Sequence, residues 1–274
     1  MNIVQLTDLH LRPLGQAANR VSESNALTER AFRAVAALDP RPDAVIITGD
    51  LTECGLDAEY DVLAGLLSRT LSMPVFVIPG NHDRREVLLR HFPEVKQVDG
   101  FVQYAVDEFP VRIVMLDTVV PGAGHGALSA QQLAWLDTTL AAVPNKPTLI
   151  GMHHPPFLCG IEHMDTIALQ DREAFAAVIA KHPQVSRIVC GHHHRPIFVP
   201  MGHAVASIAP SVAHQVELEL RPGMPGLFVM EPPAYHLHRW TPETGIVTHM
   251  GYVDTYPGPY PFLTDPDYPG KPQK

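Results

Sequence analysis

The chain has 274 residues, 46% hydrophobic and 18% charged, with a formal net charge of −9. That length suits one large globular domain or a domain with an appendage. The acidic balance argues against a nucleic-acid polymer as partner, because affinity for one rests on clustered Lys and Arg.

No run of 18 or more apolar residues occurs, so no membrane-spanning helix is expected. The start, Met1-Asn2-Ile3-Val4-Gln5-Leu6, lacks the basic head and long apolar stretch of a secretory signal. A cytoplasmic location is the resulting expectation. Three cysteines, Cys54, Cys159 and Cys190, are odd in number and lack zinc-finger spacing, which fits a reducing compartment. The 16 histidines are the unusual figure. Many fall at the ends of expected strands, a pattern that favours metal.

Residues 3 to 7 read as a strand that delivers Asp8-Leu9-His10. Extended backbone has period two, so Asp8 and His10 face one side. Residues 25 to 38 carry Ala26, Leu27, Ala31, Ala34, Val35 and Leu38 at helical spacing, and Asp39-Pro40-Arg41-Pro42 stops that helix. Residues 44 to 48 form a second strand that delivers Gly49-Asp50, where Gly49 permits a tight turn or a close backbone approach. A helix over residues 57 to 69 leads to Val75-Phe76-Val77-Ile78, a third strand broken by Pro79 and Gly80. The turn Gly80-Asn81-His82-Asp83 then projects polar side chains into the crevice at the sheet's carboxyl edge. Strand and helix alternate in this half, which predicts a parallel sheet covered on both faces.

Residues 84 to 91 read as a short helix, 101 to 109 as an edge strand, and 112 to 116 as a buried strand ending at Asp117. Ser129 with Gln132 three residues on is a capping-box start, and Leu133, Leu136 and Leu140 face inward beyond it, flanked by Trp135. Residues 148 to 152 deliver His153-His154-Pro155-Pro156; a helix over 171 to 181 follows, and residues 187 to 190 deliver Gly191-His192-His193-His194. Residues 197 to 199, 204 to 208 and 213 to 220 are expected as shorter strands of a second sheet. The Pro- and Gly-rich residues 221 to 233 read as an excursion, a lid or oligomer contact, and 236 to 240 with 246 to 250 as a hairpin. Residues 251 to 274 show no period and are expected as an extended arm or disordered. The resulting division is 1 to 220 for the catalytic unit and 221 to 274 for an appended cap or oligomer contact.

Five strand ends thus carry Asp8 and His10, Asp50, Asn81 and His82, His153, and His192 with His194. Mixed nitrogen and oxygen donors of this kind suit Fe, Mn, Zn or Co better than Ca or Mg. The ordered set D-x-H, G-D, G-N-H-D, H-H-P-P, G-H-x-H, running from residue 8 to residue 194, resembles the calcineurin-like metallophosphoesterase superfamily. Within it the chain is most similar to the class III cyclic-nucleotide phosphodiesterases and the related glycerophosphodiesterases.

The resemblance implies a four-layer α/β/β/α sandwich of two mixed sheets and a binuclear metal site. It implies Asp8, His10 and His194 as ligands of one divalent ion, Asn81, His153 and His192 as ligands of the other, and Asp50 as the bridge. Two ions bring four positive charges; two carboxylates and a bridging hydroxide leave roughly +1 to meet an anionic diester. Asn81 binds through a neutral oxygen and keeps that surplus. His82 is implied to lie over the substrate and to stabilise transition-state charge or protonate the leaving group. Its alternative role is to orient a ligand.

His214 resembles a substrate-pocket position, beside Asn81, His82 and His194, and His163 and Asp165 are candidates for the same mouth. His154 is expected to fix its loop, His193 to face away, Asp83 to hold a ligand histidine or cap a helix, and Asp117 to be structural. Cys54 is expected to be a buried inert thiol.

The expected activity is hydrolysis of small phosphodiesters by attack of the bridging hydroxide, in a homo-oligomer. Leu51-Thr52-Glu53-Cys54 after the G-D pair departs from the Asp-Arg-Gly of protein Ser/Thr phosphatases, and Glu53 from the metal-binding Tyr of purple acid phosphatases. The alternatives are a broad phosphomonoesterase and a non-catalytic metal-binding module of the same fold.

Overall fold

A computed structural model describes residues 1–261. In chain order the first half comprises β1 (Asn2–Leu6), α1 (Ser24–Ala36), β2 (Ala44–Thr48), α2 (Asp57–Thr70), β3 (Val75–Ile78), α3 (Arg85–His91), β4 (Tyr104–Val106) and β5 (Arg112–Leu116). The middle holds α4 (Ala130–Ala141), β6 (Thr148–Met152), α5 (Glu162–Asp165), α6 (Arg172–Ile179) and β7 (Val185–Cys190). The remainder is strand: β8 (Ile197–Met201), β9 (Ala204–Ile208), β10 (Gln215–Val216), β11 (Phe228–Val229), β12 (Ala234–Thr241) and β13 (Gly245–Tyr252).

The central strands are β-branched apolar runs, buried on both faces, as parallel strands between layers must be. One sheet has the order β13-β12-β1-β2-β3 and the other β4-β5-β6-β7-β9-β8. β1, β2 and β3 run parallel, as do β5, β6, β7 and β9, and antiparallel strands finish the edges, so both sheets are mixed. The sheets pack face to face, with α1, α2 and α3 outside the first and α4 and α6 outside the second. This is the four-layer α/β/β/α sandwich. Phe32, Tyr60 and Phe175 are fully buried between helices and sheets. Each such side chain contributes about 1.5–3 kcal/mol of burial.

The capping box predicted at Ser129 is present: Gln132 N–H donates to Ser129 Oγ and Ser129 N–H to Gln132 Oε1, both at 3.2 Å. The strand expected over 101 to 109 shortens to β4, because Val98 and Phe101 close a local turn before it. The strand expected over 213 to 220 shortens to β10 and belongs to neither large sheet. It pairs with β11 alone, while Leu218 and Leu220 beyond it are exposed. The reason lies at Ser211, whose Oγ accepts from Ala213 N–H at 2.9 Å and curls the chain before a strand can start.

The hairpin of β12 and β13 forms as read, and β12 also pairs antiparallel with β1. The first sheet therefore draws on both sides of residue 220. The arm assigned to residues 251 to 274 begins inside β13, and its part from 262 onward lies outside the described residues.

Candidate metal centre

All five polar strand ends meet at the carboxyl edge of the two sheets. The chain continues the parallel pairing beyond the strands: Asp8 N–H donates to Gly49 O at 3.1 Å and His10 N–H to Asp50 O at 3.0 Å. The turns that follow are strained. Asp8, His10, Asp50, His192 and His194 all have φ between 47° and 71°, a region that non-glycine residues rarely occupy. Each costs on the order of 1–3 kcal/mol, and such strain gathers where side chains must be aimed. A Cβ at Gly80 would collide with Asp50, and one at Gly191 would lie 2.7 Å from Asp8 Oδ2, so these glycines let the loops close on the carboxylates.

Two half-sites share Asp50. In the first, Asp8, His10, Asp50 and His194 place ligand atoms within 4.8 Å of one another. His194 Nε2 lies 3.2 Å from Asp8 Oδ1, and His10 Nε2 lies 3.7 Å from Asp50 Oδ2. In the second, His153 Nε2 lies 3.4 Å from that same Asp50 oxygen and 3.1 Å from Asn81 Oδ1. The His192 ring sits 5.0 Å from the His153 ring.

The far nitrogen of every one of these histidines is occupied. Nδ1–H of His10 donates to Glu53 Oε2 at 2.7 Å, that of His153 to Thr48 O at 2.8 Å, and that of His194 to His214 O at 2.8 Å. Those bonds leave Nε2 as the inward donor atom. His192 is turned the other way: Nε2–H donates to Ile167 O at 3.1 Å, which leaves Nδ1 facing the site. Fixed tautomers of this kind are how proteins prepare imidazoles for metal.

The charges suit a cation. Asp8 and Asp50 are fully buried, and their ion-pair partners among the described residues are histidines. Burial raises a carboxyl's pKa, yet His153, His82 and His10 hold Asp50 well below the usual range, and His194 holds Asp8 below it. His153 shows the reverse: burial opposes its protonation, but Asp50 and Asp8 lift it to about 9. Two buried carboxylates among neutralisable imidazoles fit divalent ions, which displace those protons on binding. The donor set therefore fits the metals that the motifs imply.

His82 stands beside this cluster. Its N–H donates to Asp50 Oδ1 at 2.9 Å and its Nδ1–H to Glu53 O at 2.8 Å. His214 is also at the site, its ring 4.8 Å from His194 and 5.0 Å from His10, with Nδ1 buried and unpartnered among the described residues. His154 holds Thr118 and Gly124, and His193 turns its Nε2 toward Met164 O. Asp165 accepts from Cys159 and Gly160 N–H and thereby shapes its own loop. Asp117 pairs with Arg85 at 2.6 Å, a structural role. Cys54 is exposed rather than buried, and its Sγ accepts from the Arg12 guanidinium at 2.9 Å.

Asp83 differs from both roles expected of it. It touches no ligand histidine and caps no helix. Its carboxylate accepts from Leu51, Thr52 and Gly80 N–H, from Thr52 Oγ1 and from Tyr60 OH, at 2.8–3.1 Å. One buried side chain thus ties the Asp50 loop to the Asn81 turn. Tyr60→Phe removes one of five donors and should cost about 1.5 kcal/mol, read as a lower urea midpoint with unchanged metal content. Ser211, which no motif marks, also supports the site: its Oγ–H donates to Asp8 O at 2.8 Å. Glu53 stands out in the sequence only as a departure from other families, and no local spacing announces its reach to His10.

A model of the calcineurin-like phosphoesterase family matches residues 1–196. The chain is 39% identical over 269 residues to a probable glycerophosphodiester phosphodiesterase of Arcobacter nitrofigilis, covering 97% of this chain and 98% of that protein. It is 37% identical over 244 residues to a probable cyclic nucleotide phosphodiesterase of Rhodopseudomonas palustris, covering 86% of each. A dimetal phosphatase from Danio rerio shares the fold with a TM-score of 0.64 at 17% identity, over 93% of this chain and 99% of that one. The chain belongs to the calcineurin-like phosphoesterase family. As a member it is a phosphoesterase whose chemistry uses divalent metal ions. No described helix is long and apolar enough to cross a membrane.

Proposed function

We propose that the protein hydrolyses small phosphodiesters at a centre of two divalent transition-metal ions, drawn from Fe, Mn, Zn and Co. The observation that carries this reading is the single Asp50 oxygen lying between His10 and His153, one from each half-site. Asp8, His10 and His194 would hold one ion and Asn81, His153 and His192 the other, with Asp50 shared between them. Bound ions supply an activated water and offset the charge of the phosphate.

The chain's own residues supply the rest. His82, with Nδ1 fixed on the Glu53 carbonyl, presents Nε2 toward the site. Burial opposes its protonation, but Asp50 and Glu53 raise its pKa, which suits a proton donor to the leaving oxygen. Asn81 accepts no negative charge, so a monoanionic diester is still attracted. His214 lines the substrate side, where its buried Nδ1 has no partner among the described residues.

Relatives named for glycerophosphodiesters and for cyclic nucleotides both support the diester class, and the match along nearly the whole chain favours glycerophosphodiesters. Residues 221 to 233 serve as a cap or as a contact between copies of a homo-oligomer, a reading supported by exposed Leu227 and Phe228. A cytoplasmic location accords with three free thiols.

The test is kcat/KM for glycerophosphocholine, cyclic AMP and bis(p-nitrophenyl) phosphate, with metal content measured on the same sample. Chelation should abolish turnover and Mn2+ should restore it. A strong preference for monoesters overturns the substrate class, and metal-loaded protein without turnover overturns the activity.

A further inference from the structure

Glu53 holds two histidines of the site, His10 and His82, from one loop position. Its carboxylate accepts from His10 Nδ1–H at 2.7 Å, and its main-chain carbonyl accepts from His82 Nδ1–H at 2.8 Å. The Glu53 side chain is 13% exposed and that of His10 4%, so water barely competes for the bond. The main chain holds the pair in register as well, since Glu53 N–H donates to Leu11 O at 3.0 Å.

The other inward histidines rest their second nitrogens on neutral carbonyls, those of Thr48, His214 and Ile167. His10 alone rests on a carboxylate. A charged acceptor makes a stronger hydrogen bond. It also makes the opposite ring nitrogen a better metal donor. Direct ligation by Glu53 is disfavoured: its oxygen meets Nδ1 of His10, while the Nε2 that faces Asp50 and His194 lies on the far side of the ring.

We propose that Glu53 is a positioning residue that acts through His10 to raise the metal affinity of the half-site formed with Asp8 and His194. The proposal rests on the two-metal reading above. Glu53→Gln keeps an acceptor oxygen and removes the charge; Glu53→Ala removes both. Metal-stripped full-length protein is titrated with Mn2+ by calorimetry, with thermal melts on the same samples. Wild type is expected to take up two ions. E53A should bind one ion as wild type does and the other about 10–100-fold more weakly. E53Q should fall between the two.

E53A that binds both ions like wild type overturns the role, as does a variant pair that melts early without weaker binding. If E53A does not fold, E53Q decides alone, and unchanged affinity at both sites overturns the proposal. Wild-type protein that takes up fewer than two ions overturns the two-metal reading itself, a result distinct from the loss of the Glu53 role.

Discussion

Asn81→Asp is expected to lower kcat/KM for a phosphodiester by about 10²–10³-fold. Asn81 Oδ1 lies 3.1 Å from His153 Nε2, inside the half-site that the two residues share with Asp50. The substitution keeps the size and an oxygen at that place, so the ligand geometry survives. What changes is one unit of negative charge. Two unit charges 4 Å apart interact by about 4 kcal/mol at an effective dielectric of 20. Screening by the bound ions reduces this, which sets the lower end of the range. The residual positive charge that attracts a diester then disappears, and a dianionic monoester should suffer more than a diester. The measurement is kcat/KM for both ester types on protein shown to hold two ions. Unchanged diester turnover removes the charge argument.

His82→Ala should reduce kcat by about 10²–10⁴-fold, the usual range for a positioned acid or base, with metal content near that of wild type. The expectation rests on which His82 atoms do what. The contact with Asp50 is made by the main-chain N–H, at 2.9 Å, and an alanine retains it. The Asp50 carboxylate therefore keeps its orientation when the ring is removed. The ring's Nδ1 is spent on the Glu53 carbonyl, so only Nε2 is left for the substrate. Loss should be larger for a substrate with a poor leaving group than for bis(p-nitrophenyl) phosphate, whose leaving oxygen needs little protonation. Protein that arrives lacking one ion would make His82 a ligand instead.

Much of the fold was legible because its central strands are short apolar runs bounded by Gly and Pro. Residues 112 to 116, 148 to 152 and 204 to 208 were read with the bounds the structure has. The errors fell where side chains, not periodicity, decide. Residues 213 to 220 alternate plausibly, yet the Ser211 hydroxyl curls the chain and turns His214 into the cluster. Residues 101 to 109 kept only Tyr104–Val106 as strand, because a backbone bridge between Val98 and Phe101 closes a turn just before it.

The sequence by itself determined the inventory: which residue types end the strands, in what order, and with what charge. Strand ends on one sheet edge must lie near one another, so the convergence of Asp8, Asp50 and Asn81 followed from pattern alone. Only the tertiary structure decided which nitrogen each histidine offers, because that depends on the acceptor behind the ring. Those acceptors, Glu53 Oε2, Thr48 O, His214 O and Ile167 O, come from segments remote in the chain or set by loop conformation. The same holds for Asp83, whose five donors assemble from two loops and a helix only once the layers have packed. Hydrogen bonds are short and directional, and no one-dimensional spacing encodes a meeting point that folding creates.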